Sequence, residues 1–154
     1  MKIADQIKIK GHLKFTIRDK KTGKIKRVAE YDNLITTVGR QLLADNLTNS
    51  VPDNTPRINY VGLGSGTTAP ANADTTLETE AYRNAIASET NSANIAYFTG
   101  FFDATETIGT YKEAGLFADG TGAADSGVLF SHVAIDITKS ATETLTVDWT
   151  VTIT

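Results

Sequence analysis

The chain has 154 residues, of which 40% are hydrophobic and 21% charged, a composition typical of a single globular domain with its own core. It contains no cysteine, which excludes disulfide bonds and thiolate metal sites. No run of 18 apolar residues occurs, so no membrane-spanning helix is predicted, and the opening MKIADQIKIK lacks the apolar stretch of a signal peptide.

Charge is unevenly distributed within a net charge of −3. Residues 1–30 hold 10 of the 15 Lys and Arg but three of the 18 Asp and Glu, so this segment is +7 and residues 31–154 are −10. Such an imbalance allows neighbouring copies of the chain to attract one another, and a basic segment can also contact nucleic acid. Nucleic acid is not the favoured partner, because no aromatic residues interleave with the lysines to stack on bases.

The first predicted element is a basic β-hairpin over about residues 5–31. Apolar and polar side chains alternate from Ile7 to Ile17, which indicates a half-buried strand with its cations outward. Gly23 lies in the polar turn DKKTGK, and KIKRVAEY returns as the second strand. We also expect the lysines to protect this strand if it lies at a sheet edge. The outward cations form the predicted assembly surface: Lys8, Lys10, Lys14 and Arg18.

One short helix is predicted near residues 37–47, where apolar residues recur at helical spacing and Thr36 or Thr37 is the candidate N-cap. A shorter helical segment is predicted in TTLETEAYRN, because Thr75 and Glu78 have the spacing of a capping box.

The rest of the chain is rich in short strand patterns. RINYVGLG, AIASET, NIAYFTGFF, IGTYKEAGLFA and GVLFSHVAIDIT are bounded by turn-forming residues. The last stretch alternates from Leu145 to Ile153 and is expected inside a sheet. Together these patterns predict a mainly β fold, an antiparallel and jelly-roll-like β-sandwich formed by a single domain over residues 1–154.

The glycines of GLGSGTTAP, residues 62–70, raise the question of catalysis. A dinucleotide-binding loop needs glycine where Thr67 stands, and a phosphate-binding Walker loop needs a lysine that is absent here. A nucleophile elbow needs glycine two residues before its serine, but Leu63 occupies that position relative to Ser65. The remaining interpretation is backbone shape: positive φ, a bulge, or close approach of another strand.

The other candidate catalytic or metal-binding residues also favour structural interpretations. Ser131 and His132 are adjacent in a predicted strand, so their side chains point to opposite faces and do not form a catalytic pair. Neither His132 nor His12 has the spacing of a metal-ligand pair. The loop DGTGAAD, residues 119–125, lacks the ligand pattern of a calcium loop. The sequence therefore predicts no enzyme, metal site or cofactor.

Arg83 follows the acidic ETE, so we expect it to form an ion pair within the chain. Its predicted partner is Glu78 or Glu80.

Four stretches carry a resemblance over about residues 30–154: NLITTVGRQLLADNL, INYVGLGSGTTAPANADTTLETEAYR, YKEAGLFADG and LFSHVAIDITKSATETLTVDWTVTIT. In their order and spacing they resemble a family of small virion proteins of tailed bacteriophages, described as tail-fibre, collar or minor structural proteins. The resemblance implies a β-sandwich that is a structural, tail- or neck-associated component of the virion, made in the bacterial host cytoplasm. It also implies assembly with copies of itself, as a homotrimer, and with other virion proteins.

Other functions remain open at this stage. A capsid decoration protein that stabilises the head would differ only in where it docks. A module that binds a host receptor or surface glycan would need exposed rings, and an enzyme such as a hydrolase is the least favoured class. Five aromatic rings are candidates for stacking on sugar: Tyr60, Tyr82, Tyr97, Tyr111 and Trp149. For Trp149, core packing is the preferred interpretation.

Overall fold

The computed structural model describes residues 6–48 and 57–154. These residues form nine strands and one helix: β1 (Ile9–Asp19), β2 (Ile25–Ile35), α1 (Thr37–Thr48), β3 (Ile58–Gly64), β4 (Glu80–Ala85), β5 (Ser88–Ser92), β6 (Ile95–Phe102), β7 (Gly109–Ala118), β8 (Val128–Lys139) and β9 (Glu143–Ile153). The predicted hairpin is confirmed as β1 and β2, with Gly23 in the turn at φ 69°. Residue 5, where that prediction begins, lies outside the described residues.

All strand pairs are antiparallel and belong to one sheet, in the order β4-β3-β7-β8-β2-β1-β9-β6-β5. The sheet curls into a half-barrel, which confirms the predicted mainly β, sandwich-like fold with one helix. We call β5, β6, β9, β1 and β2 the first layer, and β4, β3, β7 and β8 the second layer.

The two layers are connected at both sides. On one side β2 pairs with β1 along its length and then with β8 through Leu34 and Ile35 alone. On the other side the chain passes from β4 to β5, where the Ile86 amide donates to Asn59 of the second layer and the Ala87 amide donates to Thr99 of the first. The core therefore lies inside a sheet that folds back on itself.

The last strand, β9, lies between β1 and β6, as predicted for a strand inside a sheet. It pairs with β1 from Ile9 opposite Ile153 to Asp19 opposite Glu143. Beyond this ladder, the amide of Thr154 donates to the carbonyl of Lys8 at 2.7 Å.

The core is built from the inward positions that the alternating sequence pattern predicts. Leu13 and Phe15 of β1 and Trp149 of β9 are all at most 1% exposed. Burying each such side chain stabilises the fold by about 1.5–3 kcal/mol. The indole Nε1 of Trp149 donates to Asn33 Oδ1 at 2.9 Å, which satisfies the one polar atom of the ring. The preference for core packing of Trp149 is thus confirmed.

The helix α1 begins where the sequence indicates. The hydroxyl of Thr36 accepts from the amide of Gly39 at 3.0 Å, so Thr36 is the N-cap. A Cβ on Gly39 would collide with the carbonyl oxygen of Phe130, so glycine allows the first turn to pack directly on β8.

Two local predictions are wrong. The segment from Thr75 to Thr79 forms no helix, because its amides bond to a side chain of β7 rather than to its own backbone. The strand β1 is not a sheet edge, since β2 and β9 flank it, so its lysines do not guard an edge. Period-two alternation reveals the two faces of a strand but not its neighbours.

Candidate functional site

The outward face of the second layer is covered by the chain's own loops. Residues 65–79, here called the covering loop, cross the outside of β3, β7 and β8. Leu77 of this loop is 3% exposed and packs with Phe117 and Leu129 in a small apolar cluster separate from the main core. This cluster excludes water between the covering loop and the sheet beneath it.

A buried carboxylate, Glu113 of β7, fixes the covering loop. Its Oε1 accepts from the amides of Gly66 at 3.0 Å and Thr79 at 2.7 Å. Its Oε2 accepts from the amide of Glu78 at 2.9 Å and contacts His132 Nε2 at 3.0 Å. A carboxylate has about four acceptor positions, so that of Glu113 is fully occupied. Both ends of the loop are therefore fastened to one side chain that is 1% exposed.

The glycines of GLGSG make this arrangement possible. A Cβ on Gly64 or Gly66 would collide with Oε1 of Glu113. The β3–β4 register also shifts between Leu63 and Gly64, which marks a bulge. The interpretation of these glycines as backbone shape is confirmed for close approach and for a bulge, whereas neither Gly64 nor Gly66 has a positive φ.

His132 connects Glu113 to the covering loop. Its Nδ1 lies 2.8 Å from Asp74 Oδ2, its Nε2 faces Glu113, and the residue is 3% exposed. Burial raises the pKa of Asp74, but hydrogen bonds from the Ala71 amide and from His132 outweigh it, so this pKa lies below its ordinary value. With both nitrogens engaged, His132 acts as a bridge between the sheet and the loop.

A cavity of about 390 Å³ lies beside this bridge, with Asp74, Glu78 and His132 in its wall. Its carboxylates are engaged within the chain: Glu78 accepts from the amide of Thr68 at 2.8 Å and from its hydroxyl at 2.7 Å. These two bonds lower the pKa of Glu78. In residues 6–48 and 57–154, no cluster of three His, Asp or Glu side chains has the geometry to hold a metal ion.

A buried ion pair lies at the edge of the same face. Arg83 and Glu80 of β4 have side chains 3% and 1% exposed, and two guanidinium nitrogens donate to the two carboxylate oxygens, one of them at 2.6 Å. The bulge opposite Gly64 brings these residues, three apart in a strand, to the same side. The guanidinium also lies 4.3 Å from the ring centroid of Phe117. The predicted ion pair of Arg83 with Glu80 is confirmed.

Arg83 also organises the loop between β7 and β8, which includes residues 119–125. Its Nη1 donates to the carbonyls of Thr121 at 3.0 Å and Ser126 at 3.1 Å. The amide of Asp125 donates to Glu80 at 3.0 Å, and burial together with the nearby Glu80 charge raises the pKa of Asp125. The positive charge at the centre of this loop is thus a guanidinium of the protein.

Another buried carboxylate, Glu143, lies where the chain turns from β8 into β9. It accepts from the amide of Ser140 at 2.9 Å and from Arg27 Nη2 at 2.8 Å, and Lys26 Nζ lies 3.2 Å away. Burial raises the pKa of Glu143, but the bonds from Ser140, Arg27 and Lys26 outweigh it and lower the pKa to about 2.

The first layer, in contrast, has an outward surface that no described element covers. We call this the open face; it consists of the outward residues of β2, β1, β9, β6 and β5. The register places Glu30, Lys14, Asp148 and Thr99 in one row across it, and Asp32, His12, Thr150 and Tyr97 in the next. Charged groups, hydroxyls and a tyrosine ring therefore alternate across four of the five strands.

The predicted assembly cations lie on or beside the open face. Lys10, Lys14 and Arg18 project from β1, and Lys8 immediately precedes it. Among residues 6–48 and 57–154, none of the four forms an ion pair, although Arg18 donates to the carbonyl of Gly23 at 3.3 Å. Their charges are thus directed toward solvent, and Lys14 shares its row with Glu30 and Asp148.

Few of the candidate rings are accessible. Tyr97 is 38% exposed on the open face, and the nearby Phe101 is 45% exposed. Tyr82 is partly exposed and packs edge-on against Phe102. The other three candidates are buried or covered: Tyr60, Tyr111 and Trp149.

The Glu113–His132–Asp74 group was not predicted from sequence. Its members are separated by 19 and 58 positions, so no local motif joins them. The one signal was a glutamate directly before the apolar stretch AGLFA.

No protein-family model, curated protein or solved structure matches this chain. Within the described residues, no helix is long and apolar enough to cross a membrane.

Proposed function

We propose that this chain is a structural protein of a tailed-bacteriophage virion, a tail- or neck-associated adaptor, fibre or collar component that acts through symmetric assembly with its own copies. The observation that carries the proposal is the difference between its two outward faces. The second layer is sealed by loops that are fastened by Glu113 and Arg83. The first layer is left as a five-stranded surface of exposed charges and rings.

This asymmetry suits a building block. Hydrogen bonds to the buried Glu113 and from the buried Arg83 hold the covering loop and the loop between β7 and β8 in one conformation, which favours a rigid subunit. A rigid subunit loses little conformational entropy on association, so more of its contact energy appears as affinity. The resemblance of residues 30–154 to phage virion proteins gives the class of assembly.

The test is an inventory of purified phage particles by mass spectrometry with copy numbers, combined with electron microscopy of particles labelled on this protein. We expect a fixed copy number and label at the tail or neck. Label distributed over the head would favour a capsid decoration protein instead. Absence of the protein from purified particles would refute a virion role.

A second candidate function, recognition of a host surface glycan, is favoured by Tyr97 and Phe101. The two rings are exposed on β6 four residues apart, which places them about 13 Å from each other on one face. Exposed rings of this kind offer an apolar surface for a sugar ring. Retention on host cell-wall material that is lost in Tyr97→Ala but kept in Tyr82→Ala would support this function. Absence of retention at high protein concentration would exclude it.

A further inference from the structure

We propose that the open face is the contact surface for a second copy of this chain, and that the two copies pack face to face about a two-fold axis. This inference rests on the proposed function, because it identifies the surface through which the subunits assemble. A two-fold contact gives even-numbered assemblies and therefore differs from the homotrimer that the resemblance implies. In such a contact the same residues of both copies take part, so the surface must complement itself.

The size of the open face fits a stable contact. An eleven-residue strand is about 36 Å long and five strands are about 20 Å wide, so the face covers roughly 700 Å². A standard protein–protein interface buries about 800 Å² on each partner. The strands β1 and β9, each of eleven residues, run through its centre.

The charges of the open face are balanced, which is the pattern required for self-complementarity. The open face has three acids: Glu30 and Asp148 lie on either side of Lys14 in the sheet register, and Asp32 lies opposite His12. They equal in number the three cations on β1, Lys10, Lys14 and Arg18. A two-fold rotation can place the cations of one copy over the acids of the other. A polyanion such as nucleic acid would instead meet the acids that flank Lys14.

The open face also has groups that can anchor a contact. Val28 is 48% exposed and lies in one cross-strand row with Thr16, Thr146 and Phe101. Tyr97 adds a second exposed ring. Aromatic residues are enriched at the centres of protein interfaces, where they bury a large area. The half-buried Thr146, beside Phe101, has a hydroxyl that can form a hydrogen bond across the contact.

The test uses the position Thr150, on β9 between His12 and Tyr97. The variant Thr150→Arg introduces a long cation into the contact, and Thr110→Arg makes the same change on an exposed strand position of the second layer. By light scattering at low ionic strength, the parent chain and Thr110→Arg are expected to give even-numbered assemblies. Thr150→Arg is expected to halve the mass, while circular dichroism shows that all three chains are folded.

A second measurement remains informative if Thr150→Arg does not fold. The chain has no cysteine, so Thr150→Cys and Thr110→Cys each introduce a single thiol. A short bis-maleimide should link two copies of Thr150→Cys, and high salt should reduce the yield because the contact is partly electrostatic. Thr110→Cys should give little linked product.

The possible failures can be told apart. One possible result is an assembly, such as a trimer, whose mass Thr150→Arg does not change and in which Thr150→Cys does not cross-link. This result would overturn the open face as the contact but leave the virion proposal intact. A parent chain that is monomeric at all concentrations and salt conditions would overturn the self-contact. The particle inventory then decides independently whether the protein belongs to the virion.

Discussion

The change Glu113→Gln tests whether one carboxylate fastens the covering loop. The amide keeps one acceptor oxygen but replaces the other with an NH₂ group, so it cannot accept from all four donors that surround Glu113. If two donors lose their acceptor, each buried loss costs about 1–3 kcal/mol, which predicts a decrease in the free energy of unfolding of about 3 kcal/mol. For a chain of this size, that corresponds to a decrease of about 6–12 °C in Tm.

Urea unfolding followed by the fluorescence of Trp149, the only tryptophan, measures this change. The matched control is Glu89→Gln, which removes a partly exposed ion pair with Arg57 and is expected to cost at most about 1 kcal/mol. Amide exchange should also accelerate at Gly66 and Thr79 in Glu113→Gln. If both variants unfold within about 1 kcal/mol of each other, the argument for Glu113 is refuted.

Three further predictions concern other parts of the fold. The pKa of Glu143 is about 2 in the folded chain against an ordinary 4.5, so protonation of this carboxylate favours unfolding. The free energy of unfolding should fall by of order 3 kcal/mol as the pH drops from about 4.5 to 2. Urea titrations should show a smaller fall for Glu143→Gln. Gly39→Ala should lower Tm despite the higher helix propensity of alanine, because the new Cβ meets the Phe130 backbone. The control Asn46→Ala, at an exposed helix position, should not lower Tm. A raised Tm for Gly39→Ala would contradict the packing of α1. Arg83→Lys should lower the free energy of unfolding by about 2–4 kcal/mol, because lysine cannot form the bidentate ion pair with Glu80 and also reach the loop carbonyls. An unchanged unfolding transition in calorimetry would contradict this prediction.

The sequence predicted the elements whose pattern is local. Alternation located β1 and β9, and the N-cap Thr36 with apolar residues at helical spacing located α1 within one residue at its end. Such patterns follow from the two sides of a strand or helix, which differ in polarity along a continuous stretch of chain.

The covering loop could not be predicted, because its hydrogen bonds come from far along the chain. The spacing of Thr75 and Glu78 fits a capping box, yet Glu113 accepts from the Glu78 amide and the Glu78 side chain bonds to Thr68 instead. A contact over 35 positions leaves no local trace except a charged residue in an apolar strand. A buried charged residue such as Glu113 indicates that a partner exists but not which one.

The pairing of Lys8 with Thr154 has a mechanical consequence. These residues lie side by side at one end of the antiparallel strands β1 and β9. A force that pulls them apart would therefore break the hydrogen bonds between the two strands one pair at a time, starting from that end. A shearing force would instead load many bonds together. In an assembly under tension, the chain would resist best if load passed through its broad surfaces rather than through these two residues.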